Sequence, residues 1–306
     1  MRNKTTRNSF LLFIAAFIWG TAFIAQSKGM DYLSPFAFTG VRNLIGSTFL
    51  LGLVLVRRLT NKDVYKNINW SLTIKGGLLC GIALTFSSML QQYGMVYTTV
   101  GKAGFLTTLY VIFVPIAGIL FHKKVEWQVW LAAAMGAVGI YLLCMTESFS
   151  LSFGDTLVLL CAVGFTVHIM VIDHFSPQTD GVLLSFIQFL FCGVLCSILS
   201  LFFGAPTMET VKGALGSLLY AGVMSSGVAF TLQIIAQKDL NPTIAALLMS
   251  LESVIATIGG FVAYKVGFLK DDQTMTARQI VGCVIVFTAV ILVQLPTEWF
   301  HKKKNV

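Results

Sequence analysis

Apolar residues along this chain run on in long blocks rather than alternating with polar ones. Ten runs stand out, at 9–27, 34–56, 74–96, 101–121, 127–145, 155–174, 181–204, 213–237, 242–265 and 277–295. Each is close to the ~20 residues that a helix rising ~1.5 Å per residue needs to cross a ~30 Å hydrocarbon core. The pattern predicts an all-α integral membrane protein with ten transmembrane helices. The breaks between runs are short, so no soluble domain remains to hold a separate activity.

The runs repeat. Residues 86–115 read FSSMLQQYGMVYTTVGKAGFLTTLYVIFVP and 228–257 read VAFTLQIIAQKDLNPTIAALLMSLESVIAT. A shift of 142 positions puts Gln91 on Gln233, Ala103 on Ala245, Leu106 on Leu248, Leu109 on Leu251 and Tyr110 on Glu252. With slightly different shifts, Trp19 falls on Phe165, Arg42 on Gln188 and Gln128 on Gln279. Each copy holds five runs. Five is odd, so the second copy is expected upside down relative to the first. Inverted repeats in a membrane point to alternating access around a midplane site. The expected units are a first repeat at 9–145 and a second at 155–295, packed as one domain.

Composition agrees. The chain is 56% hydrophobic and 11% charged, with mean hydropathy +0.82, against about a quarter charged in soluble domains. The net charge of +8 raises nucleic acid as a partner, but its distribution argues for lipid instead. With the N-terminus inside, thirteen basic residues fall on the inner side, among them Arg2, Lys4, Arg7, Arg57, Arg58, Lys123, Lys124 and Lys302. Six fall outside: Lys28, Lys102, Lys212, Lys265, Lys270 and Arg278. Positive residues favour the cytoplasmic side, so both termini are expected in the cytoplasm and the protein in the cell membrane. Residues 1–27 are not read as a secretion signal, because signal cores run about 7–15 residues, whereas this apolar run spans 9–27 and has a partner in the second repeat.

The six cysteines (Cys80, Cys144, Cys161, Cys192, Cys196, Cys283) lie within spans and form no CxxC, so they read as small packing residues. Close small residues such as Gly77 and Gly81, or Ala132, Gly136 and Gly139, let helices approach in lipid. Pro115 lies inside the fourth run and is expected to kink it or loosen its ladder. Trp299 to Lys304 reads as an interfacial anchor.

Several segments resemble one family. FIWGTAFIAQSK (17–28) is similar to the WG-x-x-F opening of the first helix of EamA-type transporters, of the drug/metabolite transporter superfamily. FTGVRNLIGSTFLLGL (38–53), WQVWLAAAMGAVGIYLL (127–143) and TIAALLMSLESVIATIGG (243–260) resemble its second, fifth and ninth helices. Two positions depart from the family pattern: Ser253 stands where Pro is common, and His122 near a position often held by Glu. The resemblance covers nearly the whole chain and implies a ten-helix carrier of small metabolites, frequently amino acids and often outward.

Depth along each helix picks out the candidate site. Trp19, Tyr110 and Glu252 lie nine or ten residues into their spans, about 15 Å deep, and His168 about thirteen residues in. Glu252 is the only acid deep in a span. It is read as a proton site or an amine partner, or else as a structural hydrogen-bonding group or one half of a pair with Arg42. Arg42, about 12 Å deep, is read as that structural partner, as a substrate-carboxylate ligand, or as a snorkelling side chain. His168 titrates near neutrality when free but serves equally as a satisfied core histidine. Trp19 floors a cavity or simply packs. Gln91 and Gln233, at mirrored depths, ligate or gate from opposite sides, or bridge helices. Lys102 is expected to snorkel.

No GxxxxGK, HExxH or GxSxG occurs, and Asp173 next to His174 makes no triad, so an ATP-driven pump and an enzyme are not expected, nor a cofactor or metal. The reading is a secondary transporter with a small-molecule substrate and the bilayer as surroundings. A lipid or lipid-linked-sugar carrier, or a non-transporting receptor, are the alternatives.

Overall fold

The computed structural model describes residues 2–120, 127–144, 152–269 and 274–294. Among them the chain is helical, and ten rods can be traced. They are α1 (Arg2–Gly29), α2 (Pro35–Thr60), α3 (Trp70–Gly94), α4 (Val100–Leu120), α5 (Trp127–Cys144), α6 (Phe153–Phe175), α7 (Gly181–Phe203), α8 (Leu215–Gln237), α9 (Pro242–Lys265) and α10 (Ala277–Gln294). Eight are long and apolar enough to cross a membrane; the described apolar parts of α5 and α10, Trp127–Leu142 and Ala277–Leu292, are shorter.

Local sequence sets most helix starts. Ser34 caps α2 ahead of Pro35, Asn69 caps α3, Thr99 caps α4, and Asn241 caps α9 ahead of Pro242. Each side chain accepts a first-turn N–H that the helix itself leaves unpaired. Ser152 and Asp155 form a reciprocal capping box on α6. Asp180 caps α7 and also takes a two-pronged bond from Arg57 at the end of α2, both N–O distances 3.0 Å.

Packing repeats when the halves are exchanged. α3 packs on α6 as α8 packs on α1; α3 packs on α7 as α8 packs on α2; α1 packs on α9 as α6 packs on α4. The remaining main contacts join equivalent rods, α2 with α7, α4 with α9 and α5 with α10. This is the contact pattern of a pseudo-two-fold. α5 and α10 approach closely enough that a Cβ on Gly139 would lie 2.8 Å from the Gly282 carbonyl oxygen.

Three features differ from the sequence expectation. First, α4 breaks at Leu109, well before Pro115, and its counterpart α9 breaks at Ser250 with no interior proline. Both breaks carry the same hydroxyl bond. Thr108 donates to the Phe105 carbonyl (2.8 Å) and Ser250 to the Leu247 carbonyl (2.7 Å), the same bond at positions 142 apart. Such back-bonding competes with the helix ladder and often accompanies a bend. Second, α8 contains a ten-residue π-helical stretch, Tyr220–Ala229, and a short helix, Met208–Gly213, precedes it. Third, Lys102, in the first turn of α4, has an acidic partner. It pairs with Asp155 at 3.4 Å, because Asp155 is buried at the start of α6 and also accepts from Thr98 at 2.7 Å. Cys192 and Cys196 are buried with their sulfurs 4.0 Å apart, and Cys192 accepts from Asn43 at 3.0 Å. The readings of His122, of Lys270 and of the tail from Trp299 to Lys304 fall outside the described residues.

Candidate binding cavity

The two helix breaks build the centre of the site. Tyr110 opens the second segment of α4, and Glu252 is the second residue of the second segment of α9. The Tyr110 hydroxyl donates to Glu252 Oε1 at 2.9 Å, across 142 positions of sequence. Equivalent residues of two repeats can touch only where they straddle the pseudo-two-fold, so this bond marks the axis.

A cavity opens around it. All seven residues picked out by depth line it: Trp19 from α1, Arg42 from α2, Gln91 from α3, Tyr110 from α4, His168 from α6, Gln233 from α8 and Glu252 from α9. It gives about 50 Å³ to the centres of water-sized molecules, room for a few waters or one small polar head. A larger solute requires the rods to part. Phe23, Phe165 and Phe230 supply apolar wall. Trp19 packs edge-on to Phe230 with centroids 4.7 Å apart.

Much of the polar lining is unpaired within the protein. Trp19 Nε1, Gln26 Oε1, Arg42 Nε, His168 Nδ1 and Gln233 Oε1 are buried without a hydrogen-bond partner. Buried polar groups are rarely left so, and each unmade bond costs about 1–3 kcal/mol. Five of them belong to residues that line this one cavity. The sequence did not single out Gln26 or Ser225, which also line it; the signal available was a polar residue standing inside an apolar run.

The predicted partners are partly reassigned. Arg42 and Glu252 line the same cavity but form no ion pair; Glu252 is held by Tyr110 instead. The reason is packing: α2 lies chiefly against α7 and α8, whereas α9 lies against α1 and α4. Gln91 bridges to Thr107 of α4 at 3.0 Å. Its counterpart Gln233 turns to Gln237 of its own helix at 3.3 Å, since the position matching Thr107 is Met249, which offers no hydroxyl. His168 bonds Gln188 of α7 at 2.9 Å through Nε2, and Gln188 is the residue equivalent to Arg42.

The model of the EamA-like transporter family matches residues 7–145 and, a second time, 152–295. The chain belongs to the EamA-like transporter family. That places it in the drug/metabolite transporter superfamily, among multi-pass membrane transporters rather than enzymes. An uncharacterized transporter of Archaeoglobus fulgidus is 30% identical over 285 residues, 93% of this chain and 84% of that protein. The uncharacterized transporter YoaV of Bacillus subtilis is 22% identical over 282 residues, 90% of this chain and 92% of the other. A solved crystal structure shares the fold with a TM-score of 0.74 at 18% identity, covering 97% of this chain and 99% of its own.

Proposed function

We propose that this EamA-like protein is a secondary transporter that moves a small metabolite, an amino acid or related compound, outward across the cytoplasmic membrane. The two halves, 9–145 and 155–295, act as inverted five-helix repeats that rock about the central cavity, with both termini in the cytoplasm. The observation that carries this reading is the Tyr110–Glu252 bond between equivalent residues, set inside a cavity lined by seven polar or aromatic side chains from seven different rods. A site on the pseudo-two-fold is reached equally from either face, as alternating access requires. The mixture of one acid, one guanidinium and aromatic wall suits a small zwitterion with an apolar side chain.

Flux tests this directly. Purified protein in proteoliposomes loaded with a panel of labelled amino acids should release at least one of them faster than protein-free vesicles do. Equal release of every member, by protein that is folded and correctly inserted, refutes the reading. Labelling of single cysteines at Asn3 or Asn305 from the outside would refute the orientation.

A further inference from the structure

Arg42 stands apart from the other groups lining the cavity. It is 5% exposed, and among the described residues no acidic side chain pairs with it. Its Nε has no hydrogen-bond partner. The Phe38 ring, 5.8 Å from the guanidinium carbon, covers one side of it. Arginine does not shed its proton in proteins, and an uncompensated buried cation is costly. Glu252 could have neutralised it but is committed to Tyr110 at 2.9 Å.

The backbone here is fixed. A Cβ on Gly222 of the π-helical stretch would lie 2.7 Å from the Arg42 carbonyl oxygen, so α2 is wedged against α8 at the residue that carries the charge. The equivalent position in the other half holds Gln188, already engaged by His168. The cavity therefore has a guanidinium on the α2 side and none on the matching α7 side.

We propose that Arg42 is a carboxylate-binding subsite, so the cargo carries a single carboxylate and lies in one direction, acid end on Arg42 and amine end toward Glu252. The inference rests on the cavity being the transport site. A planar guanidinium matches a carboxylate in charge and in hydrogen-bond geometry. A dianion such as phosphate would leave a second negative charge facing Glu252. The guest then satisfies a cation that the protein leaves unpaired, and a simple amine does not.

Two matched triplets test this on the full chain in detergent, by ligand-induced shift of the melting temperature and by titration. One is L-leucine, isocaproate and isopentylamine; the other is L-phenylalanine, hydrocinnamate and phenethylamine. The amino acid and the acid of at least one triplet should stabilise the protein, and the amine should not. Arg42→Gln should weaken both carboxylates by about tenfold or more, the worth of one charged hydrogen bond. Without ligand this variant should melt at or above the wild type, since a structural counter-ion role would lower it. Should the Gln variant not fold, Arg42→Lys keeps the charge without the planar fork and should still weaken the acids. Amine binding as tight as acid binding, or acid binding unchanged in the variant that folds, overturns the subsite and leaves the transport reading standing. No shift from any member with the wild type overturns the amino-acid reading, and this inference with it.

Discussion

α3 and α8 occupy equivalent places in the two halves, yet they are built differently. α3 is an unbroken α-helix from Trp70 to Gly94, while α8 opens into a π-helical stretch over Tyr220–Ala229. Their partners differ in the same sense. Where α3 crosses α7, Leu84 and Phe189 lie in one apolar cluster. At the equivalent crossing of α8 with α2, those positions are Ser226 and Asn43, and Ser226 donates to Asn43 at 2.7 Å. Asn43 in turn donates to Cys192 of α7 at 3.0 Å. The first crossing is apolar at this layer, while the second carries a buried polar chain beside an apolar cluster of Phe38, Leu218 and Ala221. π-helical turns are rare and often sit at functional sites; here the stretch brings Ser225 to the cavity. The lesson is that a repeated fold leaves each half free to specialise, provided the local cost of an irregular helix is met by bonds from a neighbour.

The most damaging way to probe this difference is at Gly222. Its equivalent on α3 is Cys80, so that crossing already accommodates a side chain. A Cβ at Gly222 would lie 2.7 Å from the Arg42 carbonyl and 2.8 Å from Ile45. Gly222→Leu should cost about 1–3 kcal/mol or more by overpacking, read as a fall in melting temperature or loss of folded protein. Gly216→Ala, with open space around it, is the control and should change little. If Gly222→Leu melts with the wild type, the close approach of α2 to α8 is not as described.

Next comes the bond on the axis. Tyr110→Phe removes the hydrogen bond to Glu252 and should cost about 1–3 kcal/mol by leaving a buried acceptor unpaired. Glu252→Gln keeps the shape and an acceptor. If Glu252 carries the coupling proton, that variant folds and binds cargo but loses uphill transport driven by a pH gradient. Unchanged pH dependence of flux would exclude the coupling role.

The polar chain at Asn43 should show a smaller, non-additive effect. Asn43→Ala leaves Ser226 without its acceptor and should destabilise by about 1 kcal/mol, while the Asn43→Ala, Ser226→Ala pair should cost less than the sum of the singles. Strict additivity in a double-mutant cycle would show that the two residues do not support each other.

The smallest effect is expected at the partly exposed ends. The Arg57–Asp180 pair of one end has Ser34 donating to the Gly204 carbonyl at 2.8 Å as its uncharged counterpart. Arg57→Gln should cost about 0.2–1 kcal/mol and should remove salt sensitivity of the melting temperature that Ser34→Ala leaves in place.

Hydropathy and repetition in the sequence determined where the rods lie, that their pattern occurs twice, and how far along its rod each polar residue sits. Depth is residue count multiplied by helix rise, and lipid forces apolar runs into helices, so both can be read along the chain. That is why Trp19, Arg42, Gln91, Tyr110, His168, Gln233 and Glu252 could be grouped before any contact was known. Partner choice could not be read the same way. Which face of a rod meets which neighbour depends on how all ten pack. Only the tertiary structure turned Glu252 to Tyr110 instead of Arg42, drew Lys102 to Asp155, and set the π-helical stretch of α8 against Asn43. The breaks at Leu109 and Ser250 fall between these cases: their hydroxyls were visible in the sequence, but Pro115 was the louder signal and lies too far along α4 to place the bend.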